Sequence, residues 1–364
     1  MTEVQKFSAF RLPENALLQV MSKMGYYQLI SLSLVSKRSK KLVQSLNLPC
    51  YKLVVNPDHP MDISVYPESQ NYSVKFFLTS DDGDGLINLN QFPADVLVEI
   101  ENNTGGEVDE DDEWGSDDEE ENIDEPDLQE FRWTNQGMNR SQWINHIHSL
   151  FRKYVQFIAS FDCCDEVSDL PELRQNLPRF TDLRINMSHP LVGDPCRERC
   201  RNMLNTFAND VKNLGLSCSL VDPFTPEYKL QNLGMHNFDE FDLDMENVQL
   251  DDILAINARQ VRIYQDNFAI PLTILNRFFK SWIRGSNPRM SFIIFEFPSE
   301  VVPDVNILLK GIHYQLVPEE RERRFEGRGR PIQGGYDLRN KKGISGTLLL
   351  RHHHSAHIEF LVWN

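Results

Sequence analysis

Ser80-Asp-Asp-Gly-Asp-Gly85 has the carboxylates and glycine of a calcium-binding loop, in which a hard cation takes oxygen ligands in a set order. With Gly85 at the sixth place, the first falls on Ser80 and the twelfth on Gln91. Both outer carboxylates are therefore missing, and a hairpin turn is expected instead. Cys196 and Cys200, with His189 nearby, are donor types for zinc. A second cysteine pair is lacking and Cys200 fits the apolar stripe of a helix, so core thiols are expected. His352-His353-His354 on a strand would turn its middle ring away from the other two, which makes no compact metal cluster. Neither Gly105-Gly106 nor Gly334-Gly335 matches a phosphate loop, and no Ser/His/Asp or Cys/His set has supporting context. No catalytic residue, metal or cofactor is assigned, so the chemistry expected of this chain is binding.

Charge narrows what it binds. Lys and Arg number 37 against 54 Asp and Glu, a formal net of -17. Glu107 to Asp127 holds 14 of those acids and no Lys or Arg, which leaves -3 for the rest. A nucleic-acid platform is disfavoured, because phosphate neutralisation needs clustered cations on a folded surface. Four basic residues fall in five positions at Lys37, Arg38, Lys40 and Lys41, as plain helix surface or as a face that steers an acidic partner. Arg321, Arg323, Arg324, Arg328 and Arg330 interleave with Glu319, Glu320, Glu322 and Glu326. A salt-bridged loop is expected there; the alternative is a docking surface for an acidic partner or for the protein's own acidic insert. No run approaches the roughly 20 apolar residues of a membrane helix. Met1 to Phe10 lacks the pattern of a secretory signal, and six cysteines show no disulfide framework. A reduced intracellular protein, cytoplasmic or nuclear, is expected, so the N-x-S/T matches at Asn71, Asn102, Asn139 and Asn186 are chance.

The elements that must position a binding surface follow from periodicity. In 364 residues, 40% of them hydrophobic, there is room for two or three domains with real cores. Residues 7 to 50 read as a compact helical unit. Pro13 opens a helix carrying Leu17, Val20, Met21 and Met24, Gly25 closes it, Leu29 to Val35 is a dense second segment, and Ser36 caps a third. So many aliphatics in about 45 residues suggest a face completed by a partner. Lys52–Val55, Ile63–Tyr66 and Ser73–Leu78 have strand composition, while Asn102 to Asp127 is assigned no structure. Trp143 to Phe161 has helical spacing, with Ser141 as its cap.

From about residue 180, short strands alternate with helices: Leu183–Met187, a helix Arg199–Leu214 stopped by Gly215, Leu216–Val221 and Glu240–Met245. A short helix at Asp251–Ile256 and a strand at Val261–Tyr264 follow. Then Pro271 opens a helix with Leu275, Phe278, Phe279 and Trp282 inward, closed by Gly285. Ser291–Phe297 is a strand, Pro303–Leu309 a helix, and the last 30 residues a hairpin system around Lys341-Lys342-Gly343. Strand markers Ile185, Cys218, Leu243, Ile263 and Ile293 step by 33, 25, 20 and 30 residues. That is an irregular leucine-rich-like period, favoured over a doubly wound sheet because the units are too short for long crossovers.

Leu12-Pro13, the aliphatics through Met24, and Leu29-Ile-Ser-Leu-Ser-Leu-Val-Ser-Lys-Arg38 together resemble an F-box. Leu275-Asn-Arg-Phe-Phe-Lys280, Trp282-Ile-Arg-Gly-Ser-Asn-Pro-Arg-Met290, Gly335-Tyr-Asp-Leu-Arg339 and the closing Val362-Trp363 resemble the type 2 F-box-associated domain, expanded in nematode F-box proteins. Asn340 and Ser345-Gly346-Thr347 depart from the family's basic and Ala-Thr residues. Periodicity, charge and the resemblance together lead to the expectation of a mixed α/β chain: F-box over 1–50, a β-rich segment over 51–100, an acidic disordered insert over 101–130, and a leucine-rich-like F-box-associated domain over 131–364. The resemblance further implies a non-catalytic substrate receptor of an SCF-type cullin–RING ubiquitin ligase. Leu12, Pro13, Leu17, Val20, Met24, Leu29 and Leu34 would dock a Skp-family adaptor and through it a cullin. The C-terminal domain would hold a protein target, on residues the sequence does not mark. The alternative is an interaction scaffold with no role in ubiquitin transfer.

Overall fold

The computed structural model of the chain describes residues 12–57, 61–68, 72–79, 89–102, 129–135, 137–151, 153–163, 170–186, 194–217, 229–244, 248–264, 270–297, 302–325, 331–352 and 356–363. The chain divides into two compact units, Met1–Ser160 with Glu166–Phe180, and Phe161–Asp165 with Thr181–Asn364. The calcium-like loop, the acidic insert, His189, Cys218, His353, His354, Arg328 and Arg330 lie outside the described residues.

The first unit begins with helices α1 (Glu14–Met21), α2 (Tyr26–Val35) and α3 (Lys37–Ser45). Pro13 sits at the N-cap of α1, where its missing N–H costs nothing. The Ser36 hydroxyl accepts from Ser39 N at 3.1 Å and starts α3. Gly25 does not close α1: Ser22 does, and Gly25 is the N-cap of α2 with φ -67, so no left-handed turn is made there. Strands β1 (Pro49–Asn56), β2 (Met61–Pro67), β3 (Tyr72–Thr79), β4 (Asp95–Asn102) and β5 (Gln129–Thr134) form an antiparallel meander. Helix α4 (Arg140–Leu150), strand β6 (Lys153–Asp162) and helix α5 (Leu170–Asn176) complete the run. The strand order in this unit is β6-β1-β2-β3-β4-β5, with β6 parallel to β1.

One expected helix is thus a helix and a strand. Phe151 turns extended (φ -103, ψ 118) and the chain from Lys153 pairs with Pro49 to Val55. Phe157, Ile158 and Ala159 are consecutive and all buried, as befits a parallel strand covered on both faces. Aliphatics spaced by three and four satisfied a helical template, but a strand buried on both faces accepts any spacing. The cap of α4 is Asn139, whose side chain accepts from Gln142 N at 2.8 Å; Ser141 lies inside the helix.

The second unit contains β7 (Asp182–Asn186), α6 (Asp194–Phe207), β8 (Asn213–Ser217), α7 (Leu230–Gly234), β9 (Glu240–Asp244), α8 (Leu250–Ala255), β10 (Gln260–Tyr264), α9 (Leu272–Arg284), β11 (Phe292–Phe297) and α10 (Val305–Leu308). Then come β12 (Gln315–Leu316), β13 (Glu322–Arg323), β14 (Ile332–Gln333), β15 (Tyr336–Arg339), β16 (Ser345–His352) and β17 (Ala356–Trp363). The strand order is β12-β15-β16-β17-β11-β10-β9-β8-β7, with β13 and β14 paired separately. Strands β7 to β11 are parallel sequential neighbours, and β17 joins β11 antiparallel. Their order shows no reversal of the kind a doubly wound sheet makes at its switch point. Helix α6 ends at Phe207, earlier than expected, and Gly215 is a strand residue rather than a helix stop. The core follows from the register. Leu183, Leu214, Phe241, Val261, Ile293 and Phe360 form one buried row, and Ile185, Leu216, Leu243, Ile263, Phe295 and Ile358 the next. Each row is apolar because parallel strands in register stack like residues side by side. The chain is mixed α/β, with three N-terminal helices and a large sheet.

Candidate functional site

The helical module at the N-terminus is held from below. The Ser33 hydroxyl lies 2.7 Å from His146 Nε2 of α4 in a buried contact and donates to Ile30 O at 2.6 Å. With the hydroxyl proton turned to Ile30, Nε2 is the donor of the pair. Gln44 Nε2 donates to Ser149 O at 2.9 Å, and the Tyr26 hydroxyl donates to Pro49 O. Tyr26 stacks on Phe151 at 6.0 Å, and Tyr27 on Phe131 of β5 at 5.6 Å. Burial, and then the Lys40 ammonium, push the His146 imidazole down to about 4, so it is neutral at pH 7.

Those anchors decide which aliphatics remain available. Leu17 and Leu29, 3% and 1% exposed, are internal packing residues of the module. Leu12, Met24 and Leu34 are half-buried, Pro13 is exposed, and Val20 is 51% exposed. Val35, 70% exposed at the end of α2, joins them; the sequence placed it in the apolar second segment but not among the expected contacts. Periodicity identifies an apolar stripe but does not say which part faces the protein's own α4. A surface for a partner can use only the exposed part. Lys37, Arg38 and Lys41 on α3 are exposed too, and Lys40 is half-buried.

In the second unit the most distinctive sequence block is structural. Trp282 is buried against Phe360, ring centroids 4.7 Å apart and edge to face. Gly285 takes φ 108 and closes α9 as a left-handed cap. Asn287, at φ 49, donates through Nδ2 to Ile253 O, Leu254 O and Ile256 O at 3.1, 3.4 and 2.8 Å. Arg289 donates to Asn237 Oδ1 at 2.7 Å and to Asn257 O at 3.1 Å. The block therefore ties α9 to the preceding strand–helix units, and offers no reactive group.

Among the described residues no His, Cys, Asp and Glu group could hold a metal ion. Cys50, Cys163, Cys196 and Cys200 are buried. Arg323 pairs with Asp337 at 2.9 Å and lies over the Trp363 ring at 4.9 Å, so this member of the Arg-rich stretch is engaged internally. No helix among the described residues is long and apolar enough to cross a membrane.

Family models match the N-terminal block and the block from Leu275 to Met290. The family model for the F-box domain matches residues 10–51, and the model described as F-box associated matches residues 229–295. No curated protein and no solved structure matches the chain.

Proposed function

We propose that this chain, an F-box protein with an F-box-associated domain, is a substrate receptor of a cullin–RING ubiquitin ligase. The observation that carries the reading is the F-box match over residues 10–51 on a module that leaves Val20 and Val35 exposed. Apolar side chains on a small charged module are the area a partner would remove from water. Leu12, Pro13, Val20, Met24 and Leu34 are the proposed contacts with a Skp-family adaptor, which in turn holds a cullin. Leu17 and Leu29 would act by shaping the helices from inside. The F-box-associated domain would hold a target protein inside the cell, and the ligase would gain by proximity, making a bimolecular transfer effectively intramolecular. The chain would supply no chemistry of its own.

For the shape of the target-holding domain, a leucine-rich-like arrangement is supported by the sequential parallel order of β7 to β11. Backbone bonds at the strand starts run the same way: Asp239 N to Lys212 O, Gln260 N to Asp239 O and Ser291 N to Arg259 O. Each unit would then lean on the next to bury its core.

Purified chain and a Skp-family adaptor, mixed at micromolar concentration and passed over a sizing column, should co-elute. Separate elution would leave the interaction scaffold as the better reading and end the ligase assignment.

A further inference from the structure

The described helical module from residue 12 to residue 48 has one acid, Glu14, and five cations, Lys23, Lys37, Arg38, Lys40 and Lys41, a net of +4. Four of the cations are on α3, three of them in its first turn and the residue after it, with no acid there. Cations at the positive end of a helix dipole repel it, so this arrangement favours an anion from elsewhere. The acidic insert is tied to the same module at both ends. Asn102, the last residue of β4, pairs with Tyr72, and the Tyr72 hydroxyl accepts from Tyr26 N at 3.2 Å. On the other side β5 begins at Gln129, and its Phe131 stacks on Tyr27. Both attachment points of residues 103–128 thus lie at the start of α2.

Reach is not limiting. Half of a 26-residue segment, fully extended, spans about 45 Å, while the ten residues of α2 are roughly 15 Å long. We propose that the basic face of α3, made by the exposed Lys37 and Lys41 with the half-buried Lys40 between them, is an intramolecular docking site for the acidic segment Glu107–Asp127. A tether of this length holds the segment at about millimolar effective concentration, so even weak ion pairing is populated. An acidic external partner that used the same face would have to displace it. The proposal does not depend on the adaptor reading, since it concerns the free chain.

Carbodiimide coupling of the full chain, which joins a carboxylate to a lysine without a spacer, tests it. Peptides linking 107–127 to Lys37, Lys40 or Lys41 are expected at least about fivefold above those to the exposed Lys310, Lys341 and Lys342, with the excess lost at about 1 M salt. In a second measurement, acylation of Lys37 and Lys41 should be at least about threefold faster in a variant whose acids from 107 to 127 are changed to Asn and Gln. Coupling spread evenly over all lysines, coupling mainly between two chains, or equal acylation in the two proteins would each overturn the proposal. No adaptor is present, so none of these outcomes bears on the ligase reading.

Discussion

Trp282 on α9 and Phe360 on β17 are 78 residues apart in the chain and meet edge to face, with ring centroids 4.7 Å apart. Gly346 on β16 makes the contact possible: a Cβ there would come within 2.4 Å of Phe360 Cζ and 3.1 Å of Trp282 Cη2.

Trp282→Ala is expected to lower the stability of the second unit by roughly 3–5 kcal/mol, through lost burial and the cavity left behind. Gly346→Val, which adds bulk where a methyl already collides, should be at least as damaging. Denaturant unfolding followed by circular dichroism checks both. A Trp282→Ala protein of unchanged midpoint would show that the ring is not part of the core.

Asn287 supplies two things at once, a left-handed backbone and three hydrogen bonds to the carbonyls at the end of α8. Asn287→Gly keeps the conformation and should cost roughly 1–3 kcal/mol for the carbonyls left unpaired. Asn287→Ala should cost about 1 kcal/mol more, for the left-handed strain. Equal melting curves for the two variants would mean that the backbone angle contributes nothing.

His146 predicts a pH dependence. Its folded pKa, about 4, lies below the ordinary 6.5 because burial and Lys40 disfavour the imidazolium. Above pH 6.5 both folded and unfolded forms are neutral and stability is unaffected. As pH falls from 6.5 to about 4 the unfolded chain binds a proton that the folded chain does not, so stability is lost across that window. The loss attributable to this group is at most roughly 3–4 kcal/mol, for a pKa lowered from 6.5 to about 4. His146→Gln should flatten the wild-type decline in melting temperature between pH 6.5 and 4 relative to the parent; parallel curves would remove His146 as the cause.

Exposure separates two roles within the F-box. Leu17→Ala should destabilise the first unit by roughly 2–5 kcal/mol, as for other buried leucines. Val20→Ser should change stability by less than about 0.5 kcal/mol, as surface substitutions do. If the adaptor reading holds, Val20→Ser should nevertheless weaken adaptor binding about fivefold to tenfold, or ~1–1.4 kcal/mol. Calorimetric titration with a Skp-family adaptor reads the second effect, and differential scanning calorimetry the first.

Features that depend on a few neighbouring residues were legible in the chain itself. Pro13 and Pro271 at helix starts, Ser36 as a cap, and Gly285 and Gly343 in left-handed turns are local matters of φ and of unpaired N–H groups. Strands β9, β10 and β11 were equally plain, because alternation and turn residues bound them on both sides. The two family resemblances were legible for the same reason, since each rests mainly on one short stretch, Leu12 to Arg38 and Leu275 to Met290. The segment after Leu150 was not, because apolar spacing alone does not separate a helix from a strand buried on both faces. Only the pairing of Val55 with Ala159, about a hundred residues apart, decides for the strand. The same holds for the candidate contact residues. Leu17 and Val20 look alike in sequence, three positions apart on one helix. The fold leaves Leu17 3% exposed and Val20 51% exposed, which makes one a core residue and leaves the other in water. Burial is a property of what comes from elsewhere in the chain, so only the tertiary structure could assign it.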